Sequence, residues 1–209
     1  PDWYCRFTRL FNDSFYALGK VAADDRWRRE TDDYLRAFLE HVEPKYGEHM
    51  AGYILSCGST SEWLDLSCGE ESASRREAWR NWCHAQGKLD PLDIPPASVR
   101  EHVSHDLLRD PQTDALGIDY WRFSHELVAE TILHFARATQ EQLKHRVPLG
   151  VFFGYIFELT KPNTLSWGHF DYDRVFASPD LDFFIAPATY QDRQMGGASG
   201  FMQTIGSLQ

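Results

Sequence analysis

The sequence has few cysteines and no long apolar run. Its four cysteines, Cys5, Cys57, Cys68 and Cys83, show no CxxC or other zinc-type spacing. We therefore expect reduced, structural thiols rather than a disulfide framework. The longest apolar run, VPLGVFFGYIFEL, meets Glu158 after about a dozen residues, whereas a membrane span needs about 20. The sequence thus predicts no membrane span.

Basic residues are also few, because the chain has 31 acidic side chains and only 21 basic ones, which gives a formal net charge of -10. This balance is opposite to the basic surface of a nucleic-acid-binding protein, and it suits a neutral or cationic ligand. The chain lacks a GxGxxG run and a phosphate-binding GxxxxGK run, so a nucleotide cofactor is not expected. It also lacks the GxSxG turn of α/β hydrolases.

Periodic apolar residues divide most of the chain into alternating helices and strands. Helical spacing covers 24–42, 72–86 and 119–146, and a short helix is expected near 173–177. Continuous apolar runs predict strands at 50–58, 149–159 and 181–186. Four prolines make residues 88–118 look like a long irregular excursion.

This alternation favours an α/β protein in which helices cover a parallel sheet, as a single domain over residues 1–209. Periodicity alone leaves an open doubly wound sheet and a closed barrel as alternatives. Since the nucleotide-binding motifs of open sheets are missing, we expect the barrel.

In parallel α/β folds the ligand lies at the C-terminal ends of the strands. Ser61, Glu62 and Trp63 follow the first predicted strand, Glu158 ends the second, and Tyr190 follows the third. Glycoside hydrolysis needs two carboxyl groups, about 5 Å apart when the anomeric configuration is retained. Glu62 and Glu158 are therefore the first candidates.

Each carboxylate also has an ordinary structural interpretation. Glu62 could lie at a helix N-terminus or in a solvated loop. Glu158 could bind substrate, act as a second catalytic carboxylate, or form half of a structural ion pair. The sequence alone leaves these alternatives open.

Two other constellations carry less weight. His102 and His105 have metal-like spacing within REHVSHD but no third ligand nearby, so no metal site is expected. Cys57 and His169 could form a nucleophile and base, but a cysteine inside an apolar strand is usually a small buried residue.

Four segments together resemble barrel glycoside hydrolases of the β-galactosidase type. The runs YGEHMAGYILSCGSTSEW and RREAWRNWCHAQGK are similar to their fourth-strand region. Residues 118–155 and 178–197 are similar to the helix and strands that follow. The resemblance implies retaining hydrolysis of a β-linked sugar, with a galactoside as the leading candidate and no cofactor. It also implies a (β/α)8 TIM barrel, incomplete and covering about strands three to six.

Position by position, the resemblance makes Glu62 the acid/base and Trp63 the bulky residue beside it. Tyr190 matches the tyrosine that hydrogen-bonds the nucleophile. Ser61 stands where many members have an asparagine that binds the sugar 2-hydroxyl. The family nucleophile, a glutamate on strand seven, would follow Gln209, so the 209-residue chain alone is expected to be inactive or nearly so.

Location alone suggests that Trp121 and His169 also line the sugar site, with Glu158 as a further substrate contact. The expected partner is a carbohydrate substrate, with no nucleic acid and no membrane, and a homo-oligomer is compatible with the sequence. The alternative function is a catalytically inactive or carbohydrate-binding barrel. The compartment is not fixed, although the cytoplasm is favoured.

Overall fold

The structure, a computed structural model, describes residues 18–57, 61–65, 72–88, 93–103, 109–156, 167–186 and 194–197. A short 3-10 turn, Gly47–His49, joins the second helix to the first strand. The elements in chain order are α1 (Leu18–Val21), α2 (Asp25–Tyr46), β1 (Tyr53–Leu55), α3 (Ala73–Ala85), α4 (Ala97–Arg100), α5 (Ala115–Leu143), β2 (Leu149–Phe152), α6 (Tyr172–Phe176) and β3 (Phe183–Ile185).

Capping residues set the start of two of the long helices. The Asp24 side chain accepts a hydrogen bond from the Trp27 amide at 2.8 Å, and the Ser72 hydroxyl accepts one from the Arg75 amide at 3.1 Å. Each bond satisfies an amide that has no partner inside its helix. Gly87 follows α3 with a φ of 72°, a left-handed conformation suited to glycine. The helices predicted at 24–42 and 72–86 are confirmed.

Several helix boundaries, including the end of α2, differ from prediction by a few residues. Helix α2 continues through Pro44 to Tyr46. Helix α5 starts at Ala115, four residues before the predicted start. Part of the predicted excursion forms the short helix α4.

All three predicted strands are present, and they form one parallel sheet in the order β1-β2-β3. Tyr53 lies opposite Leu149, and Gly150 lies opposite Phe183. A Cβ atom on Gly150 would come within 2.2 Å of the Phe183 ring. The close approach of that ring therefore requires a glycine at this position.

The predicted barrel is wrong. Among the described residues β1 pairs with β2, β2 pairs with β3, and the sheet stays open with three short strands beside extensive helix. A barrel closes only when every strand is paired on both sides. The alternation of helices and strands is common to open sheets and barrels, and a missing nucleotide motif carries no information about closure.

Helix α5 forms the centre of the core and contacts α2, α3, α4, α6 and β1. Its apolar side chains recur at three- and four-residue steps, so one broad face is buried along the helix. The ring of Trp79 on α3 packs against two aromatic rings of α5. The centroid of the Trp79 ring lies 5.6 Å from that of Tyr120 and 5.5 Å from that of Phe123. The core therefore holds α3 firmly against α5.

A buried ion pair connects this core to the chain that follows β1. Arg75 and Asp65 are both fully buried, and the Arg75 Nη1 atom lies 3.2 Å from Asp65 Oδ2. The guanidinium also donates to the Gly19 carbonyl at 2.8 Å, the Tyr120 hydroxyl at 3.0 Å and the Ser124 hydroxyl at 2.8 Å. Burial alone would lower the pKa of Arg75, but Asp65 and Tyr120 raise it overall.

We expect Asp65→Asn to lower the free energy of unfolding by about 3–5 kcal/mol, because it leaves a buried guanidinium without its counter-charge. Urea unfolding monitored by tryptophan fluorescence measures this loss. The double variant Asp65→Asn, Arg75→Met should lose less than the sum of the two single variants.

The matched control is Arg26→Ala, which breaks an ion pair with Glu30 on the exposed surface of α2. This variant should leave the urea midpoint unchanged. A loss from Asp65→Asn no larger than that of the control would contradict the structural role of the buried pair.

Candidate functional site

The short segment 61–65, which we call the Glu62 loop, lies beyond the C-terminal end of β1. The Trp63 amide donates to the Cys57 carbonyl at 3.0 Å, and its indole N–H donates to the Leu55 carbonyl at 3.1 Å. The Asp65 amide donates to the Trp167 carbonyl at 3.0 Å. The loop is therefore attached both to its own strand and to the segment that follows β2.

The backbone on both sides of Glu62 is strained. Ser61 has a φ of 68° and Trp63 a φ of 58°, in the left-handed region that side chains other than glycine rarely adopt. Each such residue costs on the order of 1 kcal/mol and persists only where surrounding contacts enforce it. The buried Trp63 indole, 2% exposed, supplies that enforcement.

Glu62 itself is partly buried, between the fully buried Trp63 and the solvent. Within the described part of the chain, no side chain forms an ion pair or hydrogen bond with its carboxylate. A carboxylate held on a rigid loop without an internal partner is available for a ligand.

His169 supports the Glu62 loop from the protein interior. It is 1% exposed, and its ring stacks on the Tyr155 ring, with 5.1 Å between the two ring centroids. Its Nδ1 atom accepts from the Tyr155 amide at 3.3 Å. Burial lowers the pKa of His169 to about 3, although the carbonyls of Trp63 and Glu62 oppose that shift. His169 is therefore a neutral ring beneath the loop and does not face solvent.

The structure brings Ser61, Glu62, Trp63 and His169 together but separates Trp121 from them. Trp121 lies on α5, is 6% exposed, and donates its indole N–H to the Arg100 carbonyl at 2.8 Å. It lines a different cleft, one that Glu62 does not line.

The predicted contacts Glu158 and Tyr190 lie outside the described residues. His105 of the predicted histidine pair does so as well. Their assignments stay predictions.

Sequence reasoning missed three buried polar residues, namely Asp65 in the loop itself, Arg75 on α3 and His125 on α5. The available signal was periodicity, because Arg75 and Trp79 share one face of α3, and His125 falls between Trp121 and Val128 on the buried face of α5. A titratable residue on the apolar face of a helix indicates a buried partner or a ligand.

His125 is 5% exposed, and burial lowers its pKa to about 4. Across the described ranges, no cluster of three or more His, Cys, Asp and Glu side chains is arranged to hold a metal ion. No helix of the described segments has the length and apolar character required to cross a membrane.

Comparisons of this chain with protein-family models, with curated proteins and with solved structures found no match. The site is therefore interpreted from its own geometry and chemistry.

The two buried histidines predict a stability that falls in mild acid. In the unfolded chain the pKa of each histidine is about 6.5. In the folded protein burial lowers the pKa to about 4 for His125 and to about 3 for His169. Since the unfolded state binds more protons in this window, stability is complete above about pH 6.5. It decreases by about 1.4 kcal/mol per pH unit for each histidine as the pH falls toward 4.

Urea unfolding at a series of pH values between 7 and 5 measures this slope. His125→Gln and His169→Gln should each reduce the slope by the contribution of one histidine. A variant that merely destabilises the fold would lower the free energy of unfolding by the same amount at every pH. An unchanged slope in both variants would contradict the assignment.

Proposed function

We propose that Glu62 is the acid/base group of a retaining glycosidase that acts on β-glycosides, with β-galactosides as the first substrates to test. One observation carries the proposal. Glu62 is a partly buried carboxylate without a described partner, held between two left-handed residues beyond the C-terminal end of a parallel strand.

The position supports this chemistry because ligands of parallel α/β proteins bind beyond the C-terminal ends of the strands. Backbone strain supports it as well. Left-handed residues other than glycine concentrate at functional sites, where surrounding contacts hold a side chain in a fixed place. The sequence resemblance to β-galactosidase-type hydrolases, whose implied barrel the described residues do not form, names the same residue.

In the proposed reaction Glu62 first gives its proton to the glycosidic oxygen as the bond to the leaving group breaks. A second carboxylate attacks the anomeric carbon and forms the glycosyl-enzyme intermediate. Glu62, now ionised, then removes a proton from water as the water attacks that intermediate. Ser61, beside Glu62, is proposed to contact a sugar hydroxyl, and Trp63 holds the loop.

The second carboxylate must lie about 5 Å from Glu62 for retention. Strand β2 pairs with β1 in parallel, so its C-terminal end lies beside that of β1. We propose Glu158, which comes after β2 in the chain, as a substrate contact, in keeping with the carbohydrate partner expected from the sequence.

Glu62→Ala should reduce kcat/KM by about 10²- to 10⁴-fold for an aryl β-galactoside with a poor leaving group, because departure of that group requires a proton. A dinitrophenyl β-galactoside, whose leaving group departs without a proton, should be affected far less in the first step. The assay uses protein expressed from its complete reading frame.

Azide should restore turnover of the Glu62→Ala variant and yield a glycosyl azide, because azide attacks the intermediate without a base. Glu77→Ala removes an exposed carboxylate of α3 and serves as the control, with activity unchanged. Equal activity of Glu62→Ala and the parent protein, or absence of hydrolysis by the parent protein, would refute the proposal.

A further inference from the structure

A second cleft, which we call the His125 cleft, lies beside the first half of α5 and has a volume of about 400 Å³. This volume is within the range of small-molecule sites. Glu62 is not among its lining residues. The cleft is lined by Arg109, Ile118, Trp121, Arg122, His125, Glu126, Phe170 and Asp171.

The sequence builds one wall of the cleft from a single helical face. Ile118, Trp121, Arg122, His125 and Glu126 follow one another at alternating steps of three and one residues, so they share one side of α5. This side is apolar near Ile118 and Trp121 and polar near Glu126. The wall that α5 contributes to the cleft is therefore amphipathic.

Two hydrogen-bond donors of the cleft have no acceptor. The His125 Nδ1 atom accepts from the Phe170 amide at 3.3 Å, so the proton of the neutral ring is assigned to Nε2. The carbonyl of Gly168 lies close enough to the His125 ring to raise its pKa, but the buried Nε2 atom forms no hydrogen bond of normal length and angle among the described residues, and the same holds for Arg109 Nη1. Buried donors without acceptors are rare in native proteins. They indicate a ligand that brings acceptors.

The charges of the cleft cancel. Two arginines line the cleft together with two carboxylates, and each carboxylate has an arginine within 3.0 Å, although the buried Oδ2 atom of Asp171 accepts no hydrogen bond from the described residues. Glu126 accepts from the Trp82 indole at 2.6 Å and from Arg122 at 3.0 Å, and Asp171 lies 3.0 Å from Arg174. An anion would meet two carboxylates, and a cation would meet two arginines. A neutral ligand fits this balance best.

Phe170 adds an apolar surface at the rim of the cleft. Its side chain is 41% exposed. Its ring packs edge to face against the His125 ring, and the two ring centroids are 5.0 Å apart. An exposed phenyl ring beside unmet donors and held carboxylates suits a molecule with an apolar face and a rim of hydroxyls. Hydroxyl oxygens can accept from His125 and Arg109, and hydroxyl hydrogens can reach the remaining lone pairs of Glu126 and Asp171.

We propose that the His125 cleft binds a neutral pyranose ring, as a carbohydrate site separate from Glu62. The two sites are neighbours, because Ser124, next to His125, shares Arg75 with Asp65 of the Glu62 loop. The inference goes beyond the proposed function. Sugar binding at His125 needs no catalysis at Glu62.

Two tryptophans allow the sites to be observed separately. Trp121 lines the His125 cleft, and Trp63 belongs to the Glu62 loop. Protein labelled with ¹⁵N-tryptophan gives one indole signal per tryptophan, and Trp121→Phe and Trp63→Phe assign the two signals. Methyl β-D-galactopyranoside is the probe, and sodium benzoate is the comparison for an aromatic anion.

The galactoside should move the Trp121 signal saturably, with a Kd on the order of 1 mM. Phe170→Ala should weaken this binding about tenfold through loss of the apolar surface. Phe38→Ala is the matched control, because Phe38 is also 41% exposed but lies on α2. It should leave the Kd unchanged, as should Glu62→Ala.

The inference is overturned if the galactoside leaves the Trp121 signal in place, or if Phe170→Ala and Phe38→Ala have equal effects. It is also overturned if benzoate alone moves that signal. Failure of the Glu62 assay has a different signature. In that case hydrolysis is absent while the Trp121 response to the galactoside persists.

Discussion

The buried ion pair between Arg75 and Asp65 is the interaction on which the candidate sites depend. Each charge loses its hydration on burial, and this cost is offset only when every remaining donor finds an acceptor. Each of the three guanidinium nitrogens has an acceptor, because the group binds Gly19, Tyr120 and Ser124 in addition to Asp65. It thereby joins the first helix, the Glu62 loop, α3 and α5, which are distant in sequence. The geometric requirements of one planar cation fix the relative positions of these four segments.

This fixed frame explains how a strained loop can persist at the protein surface. The left-handed backbone at Ser61 and Trp63 would relax if the loop were free, but Asp65 anchors its C-terminal end and the Trp63 indole fills the space beneath it. His169 closes the interior side as a neutral ring, because a charged ring would need hydration that the site excludes. The result is a rigid support with one carboxylate, that of Glu62, left without an internal partner in the described structure.

Local patterns predicted much of the secondary structure, because apolar periodicity and capping residues act over a few neighbours. The three strands, the helix after Ser72 and the position of Glu62 just beyond β1 all followed from such patterns. Closure of the sheet did not, since pairing between distant strands leaves no short-range signal, and the barrel prediction was wrong. The ion pair was also missed. An arginine in a helix such as α3, which also carries Arg76 and Arg80, normally indicates a solvated face. Periodicity put Arg75 on the same face as Trp79, but only the packed structure places its guanidinium over the rings of Tyr120 and Phe123.

The frame also couples the two sites that it supports. Ser124 binds the guanidinium, and the next residue, His125, lines the second cleft. A shift of Arg75 would therefore displace the backbone of α5 on one side and Asp65 of the Glu62 loop on the other. The two charges of the ion pair also act on His125 in opposite directions, because Asp65 raises the pKa of the ring and Arg75 lowers it. Occupation of the cleft by a ligand that satisfies His125 would stabilise the frame, and through it the loop, because any group that binds only the folded state shifts the equilibrium toward that state.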